Sequence, residues 1–126
     1  MEKQVIYAAG VDPAKVPYSS AVKAGGVVYL SGQAGLVDGK AVGDDIVSQA
    51  RQAMENLAKS LEAAGTTWEK VVKVNCFMTD PEGDFDGWNQ VFREYFPENP
   101  PARSTVGTHK LIGPSWLIEI DIIALA

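Results

Sequence analysis

Two side chains in the last quarter of the chain have the type and setting to do chemistry. Arg103 stands in Pro101-Ala102-Arg103-Ser104-Thr105-Val106, and Glu119 stands in Leu117-Ile118-Glu119-Ile120-Asp121-Ile122-Ile123, inside the most apolar run of the sequence. A carboxylate embedded in such a run needs a cation, hydrogen-bond donors or water beside it, because bare burial of charge is costly. Arg103, on the extended segment before it, offers a planar fork that suits either that carboxylate or an anionic ligand. Two readings are open. The pair is a structural ion pair pinning two strands, or the Arg103 fork meets an anionic ligand.

Other chemistry is sparse. The single cysteine, Cys76, and the single histidine, His109, form no ligand pair, and no HExxH or CxxC spacing occurs, so no metal is expected. Neither GxGxxG nor GxxxxGK[ST] is present, so no nucleotide cofactor is expected either. One cysteine allows no internal disulfide and fits a reducing compartment, read here as cytoplasmic. A formal charge of −5, with lysines and arginines scattered singly, argues against a nucleic-acid partner. No apolar run reaches the ~18 residues of a membrane span, and no signal-peptide pattern opens the chain. The 126 residues, 46% apolar and 21% charged, suit one domain, 1–126, with one core.

The elements that must position Arg103 and Glu119 are legible by period and punctuation. Gln4 to Tyr7 reads as a short strand and 8–17, with Pro13 and Pro17, as a loop. Segments 18–24 and 27–31 read as a hairpin about Gly25-Gly26. Gly32-Gln33-Ala34-Gly35 ends or bulges the second strand, and Asp38-Gly39 is a further turn. Asp44 or Asp45 caps a helix running to about Ala64, with Gly65 as its left-handed stop. Ile46, Ala50, Ala53, Leu57 and Leu61 form its buried stripe, and Arg51, Glu55 and Lys59 a solvated face.

Val71 to Thr79 reads as a strand with Val72, Val74, Cys76 and Met78 on one face, which makes Cys76 a core residue. Asp80 to Gly83 reads as a loop, and Asp84 as the cap of a second helix that ends before Pro97 and carries an aromatic flank. Pro100-Pro101 restarts the chain as a strand with Arg103 and Thr105 on one face. The order β-β-β-α-β-α-β-β predicts an α+β domain, two helices on one face of a sheet. The last strand is apolar on both faces, and two helices cover only one, so a homo-oligomer is expected.

The run Pro101-Ala102-Arg103-Ser104-x-Val106, then Leu111, then Ile118-Glu119-Ile120, resembles the C-terminal signature of the RidA (YjgF) family of imine deaminases. Upstream, Pro17-Tyr18-Ser19, Tyr29-Leu30-Ser31-Gly32-Gln33, the helix of Gln49 to Gly65 and Asn89 recur in family order, so the resemblance spans essentially the whole chain. It implies a chorismate-mutase-like mixed sheet with two helices on one face, assembled as a homotrimer with sites in clefts between subunits. The activity it implies is cofactor-free, metal-free hydrolysis of reactive 2-enamine/2-imino acids, such as 2-aminoacrylate, to 2-keto acids and ammonia. This is the 2-iminobutanoate/2-iminopropanoate deaminase type, which protects pyridoxal-phosphate enzymes from intermediates they leak. By the same resemblance Arg103 holds the substrate carboxylate and Glu119 orients or activates water, while Tyr18, Ser31, Gly32, Asn89 and Thr105 line the pocket.

Thr105 stands where many members carry a cysteine, and imine hydrolysis needs no thiol, so it is expected to alter substrate preference. His109 stands where the pattern usually has a small residue or Lys/Arg, and is read as a surface or subunit-contact residue that shares a face with Arg103 unless Gly107 breaks the phase. The alternative function is a non-catalytic, regulatory module binding a keto acid or other small carboxylate. Keeping both Arg103 and Glu119 favours the enzyme, because a carboxylate binder needs only the arginine. The ribonuclease activity attached to some family members fits poorly with an acidic chain; RNA retention with a steep salt slope would revive it.

Overall fold

In the computed structural model, which describes residues 2–126, the most apolar strand lies at the centre of the sheet. The strands are β1 Gln4–Ile6, β2 Ala21–Ala24, β3 Val27–Ala34, β4 Leu36–Val37, β5 Lys40–Ala41, β6 Val71–Met78, β7 Ala102–Gly107 and β8 Ile118–Leu125. The helices are α1 Ile46–Ala64 and α2 Pro81–Tyr95, with a 3-10 turn at Trp68–Lys70. Six strands form one sheet in the order β1-β2-β3-β8-β6-β7, and β4 pairs β5 in a separate hairpin. All pairings in the large sheet are antiparallel except β6 with β7, which makes the sheet mixed.

Both helices pack on one face of the sheet, as expected. Ile118, Ile120, Ile122 and Ala124 of β8 join Val74, Cys76 and Met78 of β6 beneath them, all buried. The same core takes Ala50, Ala53, Leu57 and Leu61 from α1 and Trp88, Val91 and Phe92 from α2. Asp45 caps α1, its carboxylate accepting the Ser48 N–H at 2.8 Å. Gly65 stops it at φ 75, and the Thr66 N–H returns to the Leu61 carbonyl. Arg51 and Glu55 on the outer face of α1 reach α2: Arg51 forks onto Glu94 at 3.0 and 2.6 Å, and Glu55 accepts the Tyr95 hydroxyl. These charges tie the helices together rather than facing water alone.

Two local expectations are corrected. Val72 is 43% exposed and Val71 is buried, because the register against β8 slips between Val71 and Lys73. The bulge restores the inward phase at Val74. The second helix starts four residues earlier than an Asp84 cap allows. Asp80 is its cap, accepting the Gly83 N–H at 3.1 Å, and Pro81 takes the first helical position, where no N–H is needed.

The other face of the sheet carries Val5, Tyr29, Phe77, Val106 and Leu125, all exposed, beside half-buried Val22 and Ile123. No element of the described residues covers it. No helix is long and apolar enough to cross a membrane.

Candidate functional site

Strand pairing decides how Arg103 and Glu119 stand to one another. Arg103 pairs with Val74, whose side chain faces the helices, so Arg103 points under α2. Glu119 pairs with Phe77, on the uncovered side. The two residues therefore occupy opposite faces of the sheet, on strands separated by β6, about 10 Å apart in the pairing direction. The intramolecular ion pair is excluded: among the described residues the one salt bridge is Arg51–Glu94.

Each residue instead lines a cavity of its own. The Glu119 cavity, about 430 Å³, is walled by Tyr18, Ser31, Gly32, Gln33 and Trp116. It exists because β3 bulges where the glycine stands. Between Leu30 and Gln33 the register against β8 slips, leaving Ser31 and Gly32 without partners on β8. A Cβ on Gly32 would lie 2.5 Å from Glu119 Oε2, so the glycine lets this carboxylate rest against the bulge. The Ser31 hydroxyl donates to the Ser19 carbonyl at 2.6 Å and the Ser31 N–H to Ser20 at 3.0 Å, which places the exposed Tyr18 at the rim. Burial, and then the nearby Asp121 carboxylate, raise the pKa of Glu119 above the usual glutamate value. Asp121 shares its face two residues on and accepts from Asn75 at 2.9 Å.

The far wall hangs on Gln49. This fully buried amide donates to the carbonyls of Gly43 and Ser115, at 2.7 and 2.9 Å, and accepts the Leu117 N–H at 2.8 Å. It thereby holds the segment that carries Ile112, which is 88% exposed, and Trp116 against the end of the sheet. A second amide on α1, Asn56, donates to Ala34 and Leu36 just past the bulge, at 3.1 and 2.9 Å.

The Arg103 cavity, about 460 Å³, is lined by Phe85, Asn89, Phe92, Arg93 and Pro100. The Arg103 guanidinium lies 4.7 Å from the Phe92 ring centre, 5.4 Å from Phe85 and 5.8 Å from Trp88. Aromatic faces hold the cation without consuming its hydrogen-bond donors, so the fork stays free for an anion.

The predicted site residues thus fall into two groups. Tyr18, Ser31, Gly32 and Glu119 converge on one cavity, and Asn89 and Arg103 on the other. Thr105 lines neither. Its hydroxyl is buried toward the Cys76 thiol without a well-formed hydrogen bond, as is the Trp88 indole N–H. Burial pushes the Cys76 pKa up to about 11, which agrees with a core thiol rather than a nucleophile. His109 does not share the face of Arg103: β7 ends at Gly107, and His109 is exposed in the bend beyond. Sequence reasoning missed Gln33, Gln49 and Trp116, which act through contacts far apart in sequence. It also missed Arg93, for which a signal existed, since Phe85, Asn89 and Arg93 recur at i, i+4, i+8.

The family described as Endoribonuclease L-PSP matches residues 9–126. Protein mmf2, mitochondrial, of Schizosaccharomyces pombe is 46% identical over 110 residues, covering 86% of this chain and 86% of that protein. Reactive Intermediate Deaminase A, chloroplastic, of Arabidopsis thaliana is 36% identical over 126 residues, covering 98% of this chain and 66% of that protein. Among solved structures, the Rid family protein YyfA of Yersinia pestis superposes with a TM-score of 0.90 at 36% identity, covering 99% of this chain and 100% of that one. Sequence match and fold agree over nearly the full length, and the chain belongs to the RidA (YjgF) family.

Proposed function

We propose that this protein is a hydrolase of reactive 2-imino and 2-enamino acids, acting as a homotrimer in which the Arg103 cavity of one subunit meets the Glu119 cavity of the next. The observation that carries this is the division of the site. A free guanidinium and a carboxylate of raised pKa lie on opposite faces of one sheet, each in an open cavity, beside an uncovered apolar face that suits a second copy. Protecting metabolism from such intermediates follows from the chemistry. For the compartment, the one buried thiol supports reducing surroundings, cytoplasmic in our reading.

The reaction asks little of the protein. Arg103 grips the substrate carboxylate with paired hydrogen bonds and fixes the protonated C=N carbon in place. Glu119 accepts a proton from water as the water oxygen bonds to that carbon. The resulting carbinolamine nitrogen takes the proton from Glu119, the C–N bond breaks, ammonia leaves, and the hydroxyl closes to the keto group as it loses its proton. Ser31 and Gly32 lie at the bulge, where backbone groups freed from β8 can orient the departing nitrogen. The raised pKa of Glu119 makes it a better base than an ordinary carboxylate and lets it return the proton.

The test is keto-acid release from imines generated in situ by an amino-acid oxidase, for wild type and Arg103→Ala. Acceleration by wild type that disappears in the variant is the expected result. No acceleration across several imino acids would sink the deaminase, and keto-acid binding would then mark the regulatory, ligand-binding module.

A further inference from the structure

Arg93 lines the same cavity as Arg103. On α2, Phe85, Asn89 and Arg93 follow at one-turn intervals, and the Arg103 guanidinium lies over Phe85 and Phe92 on the same flank. A cavity of about 460 Å³ is thus lined by two arginines together with Asn89. Neither has a carboxylate partner among the described residues. The nearest acid in sequence, Glu94, is taken by Arg51 of α1. In a chain of net charge −5, one cavity with two free arginines is a local concentration of positive potential. A monocarboxylic imino acid would use only one of them. Arg93 also sits in the last turn of α2, where any cation is favoured, but that explains neither its place on the cavity flank nor the absence of a partner.

We propose that Arg93 selects a second anionic group on the substrate, so that the preferred substrates are 2-imino dicarboxylic acids with the distal carboxylate one or two methylenes from the imine carbon. This rests on the deaminase reading of the Arg103 cavity. Arg103 takes the carboxylate beside the imine and Arg93 the distal one. Arg93 is exposed, so it contributes through charge and hydrogen bonding at the rim rather than through a sealed pocket.

The experiment compares kcat/KM for 2-iminoglutarate and for 2-iminopentanoate, equal in chain length, in wild type, Arg93→Gln and Arg93→Glu. Wild type is expected to favour the dicarboxylate about tenfold. The ratio falls about tenfold in Arg93→Gln, carried mainly by KM, and inverts in Arg93→Glu. A wild-type ratio near one that neither variant moves overturns the assignment while leaving the deaminase intact. A second readout is independent of turnover: calorimetric binding of 2-oxoglutarate against 2-oxopentanoate. If wild type turns over neither imine, selective 2-oxoglutarate binding that is lost in Arg93→Gln sustains the role of Arg93 and isolates the failure to the catalytic reading. Equal binding of both keto acids overturns it.

Discussion

The two cavities are built by different means. The Arg103 cavity rests on α2, whose aromatic stripe supports the guanidinium by stacking and leaves its donors free. The Glu119 cavity rests on α1, whose buried Gln49 and half-buried Asn56 amides hold the loop and the strand end around a bulge. One is a packing device tolerant of small shifts. The other is a hydrogen-bond device with one glycine at its closest approach, where small changes act directly on the Glu119 carboxylate. Each helix thus serves one half, and neither cavity contains both Arg103 and Glu119.

Breaking the halves in turn should separate these properties. Glu119→Gln is expected to lower kcat by about 10²–10⁴-fold while keto-acid affinity at Arg103 is retained, as measured by turnover alongside calorimetry. Gly32→Ala comes next. The added methyl would meet Glu119 Oε2, a mobile side-chain end, so kcat should fall about 10–100-fold with the melting temperature little changed. A variant that keeps full activity would show that the Glu119 position is not critical.

Gln49→Leu addresses the support instead. It strips the Ser115 and Gly43 carbonyls and the Leu117 N–H of their partner, at a cost of about 2–4 kcal/mol in denaturant unfolding. No comparable loss is expected from Phe85→Leu in the other half, where a partly exposed ring is replaced by a smaller apolar group.

The smallest effect concerns proton affinity. Burial and Asp121 raise the Glu119 pKa, so the acid limb of kcat/KM should lie above the usual glutamate range and move down in Asp121→Asn. The sign for stability follows from proton uptake. A carboxyl whose folded pKa exceeds its unfolded value binds more protons when folded, so stability falls as pH rises between the two values. Glu119→Gln should flatten that slope in unfolding measured across the acid range.

Much of this fold is legible in the sequence because its signals are local. Asp45 and Gly65 mark α1, Gly25-Gly26 marks the β2–β3 hairpin, and Gly32 marks the bulge. The opposite facing of Arg103 and Glu119 is not legible. It depends on β6 lying between β7 and β8 and on the register of both pairings, which no local pattern encodes. The slip at Val72 and the early start of α2 escaped for a related reason. A bulge reverses the alternation by one residue, and Asp80-Pro81 reads equally well as a turn or as a cap followed by a first helical proline. Among the site residues, the expectation for Thr105 came from its position alone, and its buried hydroxyl lies toward Cys76.

On the proposed reading a complete site needs halves from two chains, and subunit complementation tests this most directly. Arg103→Ala and Glu119→Gln, each inactive alone, would be co-expressed with distinct tags and purified as mixed oligomers. If each site draws Arg103 from one subunit and Glu119 from its neighbour, every mixed trimer holds one intact site of its three, which restores about one third of wild-type imine hydrolysis. Mixed oligomers as inactive as the parents would contradict a shared site and require both residues to act within one chain.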